Sequence, residues 1–305
     1  MKVDKRNGNV NYNDENHVYW DSTGNYISVT TLIGKYENEF DEDFWSSYKA
    51  LQELMTREQF KMENRRMLTT KKIDVDDILK TYDLNKTNFN LIKQDYLDKW
   101  QRERVQSCER GTRIHAQLEG LYTSRKETDL KKFGLGGKFE VNTNETLEAH
   151  NTQLLDIEKG VFPEFLVYSV SEDGILRVAG QIDLLIKDGN DIIIYDYKTN
   201  KRIEEQSYFD LSTKKNTMMK APLNNLMDCN KMHYALQLST YAWMLQKINP
   251  DFKIKYLGLI HYDHNNNVTE YEIPYLKKDV ERMLKDYKKK LILKQRSDSR
   301  KPIVF

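Results

Sequence analysis

The sequence predicts an α/β protein: a mixed central β-sheet flanked by helices, with a helical elaboration before the core. Three observations predict it. Residues 163–198 hold three runs of β-branched and aromatic residues joined by turn sequences. Residues 40–110 and 231–247 place apolar side chains at helical spacing. Residues 254–275 alternate as a further hairpin.

In chain order, residues 9–33 read as an ordinary edge hairpin. His17–Trp20 and Tyr26–Thr30 flank the turn-rich Asp21–Asn25, and His17 reads as structural. Over 40–110, Phe44, Tyr48, Leu51 and Leu54 share one helical face. Asp74 opens a short helix whose carboxylates suit the positive end of the helix dipole. A longer helix is expected from about Asn88 to Arg104, with Leu91, Tyr96 and Trp100 facing inward. Gly111 marks either a close approach of helix to sheet or a break between two helices. His115 and Glu119, one turn apart, share a face. Residues 123–160, with Gly134, Gly136 and Gly137, read as a flexible loop followed by a helix that includes Leu147–Leu155. They are not a phosphate-binding loop, because no Gly-Lys-Ser/Thr follows.

The next stretch carries the chemistry. Pro163–Val170 is a strand, and Ser171–Gly174 a turn. Gly180-Gln181-Ile182-Asp183 opens a second strand, Asp188–Asp191 is a tight turn, and Ile192–Lys198 is a third strand. A two-residue turn at Gly189-Asn190 sets Asp183 opposite Asp196; a turn at Asp188-Gly189 sets it opposite Ile194, on the same face. A turn at Asp173-Gly174 sets Glu164 opposite Asp183. Neighbours across a sheet lie roughly 5–8 Å apart. Glu164, Asp183 and Asp196 therefore crowd together, with Lys198 beside them because alternate residues share a face. Buried charges are costly unless paired or metal-bound. Hard divalent cations take oxygen ligands and relieve such repulsion. An adjacent lysine can hold an attacking water or an anionic transition state. The set fits metal-assisted hydrolysis of a phosphodiester. A surface salt-bridge cluster, the plain alternative, would not require two independent turn registers to agree.

After this strand, Thr199-Asn200-Lys201-Arg202 offers cations that either touch phosphates or are simply solvated. Residues 204–230, with Lys214, Lys215 and Lys220, read as an extended excursion at the site's rim. Residues 231–247 are an amphipathic helix on which Gln237 and Tyr241 face the same way. His261 and His264 of the second hairpin read as structural or exposed. Residues 276–294 form a final basic helix with Val280, Leu284 and Tyr287 on one side; its lysines either grip a phosphate backbone or solvate the end of the chain.

The ordered set Gly111-Thr112-Arg113-Ile114-His115, Gly180-Gln181-Ile182-Asp183, Asp196-Tyr197-Lys198-Thr199 and Gln237-Leu238-Ser239-Thr240-Tyr241 resembles the PD-(D/E)XK nuclease superfamily, in the RecB-like branch of phage and mitochondrial genome-maintenance exonucleases. The resemblance implies a restriction-endonuclease-like core and one elaborated nuclease domain over 1–305. Within it, 1–110 is the N-terminal hairpin and helical region, 111–275 the core, and 276–305 the basic C-terminal helix and tail. It implies that Asp183 and Asp196 hold one or two Mg²⁺ or Mn²⁺ ions, with His115 and the Tyr197 carbonyl completing the shell. Glu164 then stands at the edge of that shell or behind it, and Lys198 orients the water. Gln237 and Tyr241 contact DNA or orient catalytic groups, with Thr199 also facing substrate. Glu119 is either a partner behind the metal ligands or a surface charge. Ile182 stands where the superfamily's name has proline. Helices around the related cores help form a passage for a single strand; here a plain packing layer serves equally.

The implied activity is a deoxyribonuclease, an exonuclease acting on DNA ends or single strands in phage-type replication, recombination or repair. The rivals are a structure-selective endonuclease and a non-catalytic DNA-binding or assembly protein. A helicase or recombinase stands as a candidate partner. Some relatives hold an iron–sulfur cluster on four cysteines, and Cys108 and Cys229 alone could not. The net charge of +1 gives no global basic field, although residues 277–301 hold eleven Lys/Arg against four Asp/Glu. The chain is 39% hydrophobic and 31% charged. No run nears the roughly 20 apolar residues of a membrane span, and the first residues lack an apolar signal region. The expected location is cytoplasmic, in a host cell if the protein is phage-encoded.

Overall fold

The structure, a computed structural model, describes residues 3–4, 10–13, 18–142, 154–265 and 267–298. The chain opens with β1 (Val3–Asp4), β2 (Asn11–Asn13), β3 (Val18–Asp21) and β4 (Gly24–Ser28), an antiparallel run. The expected edge hairpin differs in two ways. β4 pairs in parallel with a central strand through Ile27 and Ser28, so the hairpin belongs to the main sheet. Residues 29–30 do not continue the strand. Ser28 instead caps α1 (Val29–Gly34), its hydroxyl accepting from the Thr31 N–H. That bond outweighs the strand preference of Val29 and Thr30. His17 lies outside the described residues.

Four helices follow: α2 (Glu42–Leu54), α3 (Arg57–Thr70), α4 (Val75–Thr81) and α5 (Lys86–Thr123). Side chains cap each start: Asp41, Thr56 with Gln59 in a reciprocal box, Asp74 and Asn85. Phe44, Tyr48 and Leu51 are buried as their spacing requires, and Tyr48 and Leu51 form a separate core with Met67, Ile78 and Phe89. Leu91 was expected to face inward but is 64% exposed; Phe89 and Ile92 take the inward positions. Tyr96 and Trp100 are half-buried. α5 runs unbroken for 38 residues through Gly111. A Cβ at Gly111 would lie 3.3 Å from Thr199 Oγ1, so the glycine marks close approach to the sheet and not a break.

The expected loop over 123–160 contains β5 (Glu127–Asp129) and β6 (Lys138–Val141), which extend the main sheet. Their alternation runs over only three and four residues, too short a span to mark a strand. The expected helix over Leu147–Leu155 lies outside the described residues except for its last two. β7 (Lys159–Val170), β8 (Arg177–Asp188) and β9 (Asp191–Lys198) are the antiparallel centre. The β8–β9 register follows the Gly189-Asn190 turn, with Asp188 opposite Asp191 and Leu184 opposite Tyr195. The β7–β8 register also holds, placing Glu164 level with Asp183 between the Pro163–Leu184 and Phe165–Ile182 pairs. The connection is longer than two residues, however: the last pair is Val170 and Arg177. Ser171 closes that loop by accepting from the Leu176 N–H and bonding Asp173.

The excursion over 204–230 holds only the small hairpin of β10 (Phe209–Asp210) and β11 (Lys215–Asn216), and is anchored by buried Met219 and Leu223. α6 (Asn230–Ile248) is not amphipathic as expected: every residue from Ala235 to Ala242 is buried. β12 (Lys253–Tyr262) pairs in parallel with β9 and antiparallel with β13 (Val268–Glu272), and α7 (Lys277–Asp298) closes the fold. No helix among the described residues is long and apolar enough to cross a membrane.

The sheet buries both faces. Phe162, Ile182, Leu185 and Ile194 pack with residues of α1, α6 and α7. Val161, Leu184, Ile186 and Tyr195 pack with Tyr122, Leu130 and Phe139. On β7 the alternation changes phase at Glu164, since Phe162 and Phe165 face the same core. On β8 it changes between Ile182 and Leu185. The two shifts sit opposite each other, so the register survives on either side. Glu164 itself adopts φ +52°, the left-handed region that costs a side-chain-bearing residue about 1–3 kcal/mol.

β8 also forks. One edge meets β7 along its length; the other meets β4 at Val178 and Ala179, then β9 from Leu184 onward. Gly180 lies in the gap between β4 and β9. A Cβ there would fall 2.5 Å from Tyr241 Cε1 and 3.2 Å from Val29 Cγ2. Gly180→Ala should therefore lower stability by about 1–3 kcal/mol, measured by urea unfolding. Unchanged stability would mean that the Tyr241 ring does not rest on this strand.

Candidate metal centre

The fork, the phase shift and α5 meet at one place. α5 brings His115 over the end of β9, β7 brings Glu164, and β8 brings Asp183. One ligand atom from each lies within 4.8 Å of the others, the one such group among the described residues. His115 Nε2 is 3.1 Å from the Tyr197 carbonyl oxygen. In the neutral ring Nε2–H is then the donor, and Nδ1 keeps its lone pair facing Asp183 Oδ2 at 3.6 Å. Asp183 Oδ2 accepts from the Tyr197 N–H at 2.6 Å. Glu164 Oε2 accepts from Gln181 Nε2 at 2.6 Å.

Asp196 is 1% exposed and engaged elsewhere. Lys198 Nζ is 2.5 Å from its Oδ2, and Gln237 Nε2 donates to its Oδ1 at 3.0 Å. Gln237 also donates to the Tyr241 hydroxyl at 3.2 Å. Thus the structure brings His115, Glu164 and Asp183 into one cluster. It sets Asp196, Lys198, Gln237 and Tyr241 into an adjoining chain of polar contacts, with Tyr197 between the two sets. Burial and the nearby Asp196 carboxylate push Asp183 up to about 6, against the pull of His115 and Lys198. Burial alone would lower the Lys198 ammonium, but Asp196 and Asp183 outweigh it and hold its pKa above the ordinary value.

The remaining expected residues are less engaged. Half-buried Glu119 makes no side-chain hydrogen bond or ion pair with another described residue. Thr199 supports the site through its backbone, its carbonyl accepting from Arg110 at 2.6 Å. Lys201 is exposed, and Arg202 pairs with Glu204 at 2.8 Å. His261 is buried, with Nε2 2.7 Å from the Asn200 carbonyl; His264 is exposed. On α7, Lys288 pairs with Asp173 and Lys290 with Asp286, so part of the local basic excess is spoken for.

Sequence reasoning missed two residues. Arg110 donates to the carbonyls of Thr199, Tyr262 and Asp263, tying together the ends of β9 and β12 just past Lys198. Nothing local marks an arginine that reaches across 89 and 152 residues of chain. Gln181 holds Glu164, and the signal was present, since Gln181 and Glu164 lie near each other in the register already read.

The donor set suits a divalent cation. Two carboxylates and an imidazole converge, and the buried Asp183 carboxylate carries an unfavourable charge that a cation would offset. The folded-state pKa of Asp183 lies above the ordinary 3.8. Its contribution to metal-free stability is therefore full below about 3.8 and lost as pH rises through about 6. A cation needs the ionised form, so its effect runs the other way. Added Mn²⁺ should raise Tm clearly at pH 8 and much less at pH 5, read by differential scanning fluorimetry. Equal shifts at both pH values would exclude Asp183 as a ligand.

A family model described as the PD-(D/E)XK nuclease superfamily matches residues 78–300. No curated protein matches the chain. Among solved structures, one titled "Crystal structure of SSO0001" is 19% identical, with a TM-score of 0.26 over 44% of this chain and 50% of that one. The chain thus spans about half the length of that protein.

Proposed function

The chain belongs to the PD-(D/E)XK nuclease superfamily, and from that premise we propose that it is a divalent-metal-dependent deoxyribonuclease. In this reading it is an exonuclease that acts on DNA ends or single strands in phage-type replication, recombination or repair. The observation that carries the reading is the convergence of His115, Glu164 and Asp183 within 4.8 Å, beside the half-buried Lys198. The preference for ends rests on the ordered motifs of the RecB-like exonucleases.

His115, Glu164 and Asp183 would hold Mg²⁺ or Mn²⁺, with Asp196 and the Tyr197 carbonyl alongside. When bound, the ion supplies Lewis-acid stabilisation of the phosphoryl oxygens and a more acidic water. The chain's own groups do the rest. Lys198 stays protonated at neutral pH because Asp196 and Asp183 favour its charge. It can therefore donate a hydrogen bond to the oxygen of the attacking water and oppose the charge that builds on the phosphate. Asp196 and Gln237 fix where that ammonium sits. The Tyr197 N–H and Gln181 orient the carboxylates of Asp183 and Glu164.

The test is digestion of end-labelled single-stranded and duplex DNA, linear and circular, with Mg²⁺ or Mn²⁺. Linear DNA should be lost and circles spared, and Lys198→Ala should reduce cleavage by about 100-fold or more. Cutting of circles would assign an endonuclease. No cutting on any substrate, with DNA still bound, would leave a non-catalytic scaffold.

A further inference from the structure

Lys198 has a neighbour that none of the expected motifs includes. Tyr234, on the first turns of α6, places its ring centroid 4.7 Å from Lys198 Nζ. The same ammonium is 2.5 Å from Asp196 Oδ2. Three residues further along α6, Gln237 grips the other oxygen of Asp196, and Tyr241 backs Gln237. Tyr234, Gln237 and Tyr241 thus lie along the side of α6 that meets β9. The helix holds Asp196 through Gln237 and Lys198 through Tyr234.

The aromatic contact has a physical use. A lysine side chain has four rotatable bonds, and a single carboxylate contact leaves its head free to swing. An aromatic face attracts the ammonium through the ring quadrupole, most strongly where water is excluded. Lys198 is largely buried, its side chain 17% exposed. Tyr234 packs against the main hydrophobic core. Next to it, His233 Nε2 is 2.6 Å from Asp228 Oδ1, and Nδ1 is 3.5 Å from Glu37. Asp228 in turn accepts from the main chain and side chain of Asn38. Meanwhile the Tyr234 hydroxyl makes no hydrogen bond to a described residue, so the ring and not the hydroxyl is what the fold employs.

We propose that Tyr234 is a positioning residue for catalysis: its ring, packed against the main core, holds the Lys198 ammonium at the reacting phosphate. The inference rests on the nuclease reading above and makes its own demand. It requires the ring and dispenses with the hydroxyl, and it acts only through Lys198.

The experiment compares Tyr234→Leu and Tyr234→Phe by steady-state kinetics on a linear DNA substrate with Mn²⁺. Each is also made in the Lys198→Ala background. Tyr234→Phe should keep near-wild-type kcat. Tyr234→Leu should lower kcat by about 10-fold with little change in KM. In the Lys198→Ala background, Tyr234→Leu should cause no further loss. Thermal unfolding and Mn²⁺ binding of both single variants confirm that they fold. Tyr234→Leu with wild-type kcat overturns the inference, as does an equal further loss in the Lys198→Ala background. A drop in both Tyr234→Phe and Tyr234→Leu assigns the hydroxyl and also overturns it. If wild type cleaves no DNA, the nuclease reading fails first, and the two failures are told apart by that control.

Discussion

Two buried carboxylates on neighbouring strands are the constraint on which the rest of the structure depends. Asp183 and Asp196 are 9% and 1% exposed, and burial, with the repulsion of Asp196 added to it, raises Asp183. Burying one unpaired charge costs several kcal/mol, so the surrounding elements are arranged to meet these two. Lys198 and Gln237 take the oxygens of Asp196, while the Tyr197 N–H takes Asp183. The long α5 helix brings His115 to the same place, and its close passage past Thr199 leaves little room for a side chain at Gly111. The arrangement is incomplete as protein alone, since Asp183 is left with a raised pKa and with Glu164 and His115 close by. In the proposed reading, a divalent cation would offset that charge.

The sheet supplies the geometry by giving up regularity. β8 leaves β4 before it takes up β9, and the gap admits the Tyr241 ring over Gly180. At the same level, β7 and β8 shift phase together, and Glu164 accepts a left-handed backbone. Regular strands would have alternated through this point. The strain at Glu164 is local, and the paired residues on either side of it hold the register. The site is thus built where three irregularities coincide, on a scaffold whose two faces are otherwise fully packed.

Much of this was legible in the sequence because turns fix registers. The Gly189-Asn190 turn set β8 against β9, and the level of Glu164 with Asp183 followed from a turn placed near Asp173-Gly174, although the loop proved longer. Helix spacing found α2, α6 and α7. Other features left no local signal. The parallel pairing of β9 with β12 is not encoded by any short motif. β5 and β6, three and four residues long, alternate over too short a span to stand out. Leu91 was misplaced because Phe89 and Ile92 offered a competing apolar face one step away. At the site, residue types and turn registers pointed to Glu164, Asp183, Asp196 and Lys198, and the family resemblance added His115. They could not say that Asp196 would be engaged by Lys198 and Gln237 while Glu164 joined the His115 cluster. Arg110 and Tyr234 act over long range or through a ring face, and neither is visible as a pattern.

The central claim is that an imidazole and two carboxylates from three elements hold one divalent ion. Pulsed electron paramagnetic resonance of Mn²⁺ bound to the protein tests it most directly, because a coordinated imidazole imprints nitrogen hyperfine coupling on the metal. The account predicts that coupling in the wild-type protein and its loss in His115→Ala. Bound Mn²⁺ without nitrogen coupling in the wild type, or with coupling unchanged in His115→Ala, would contradict it.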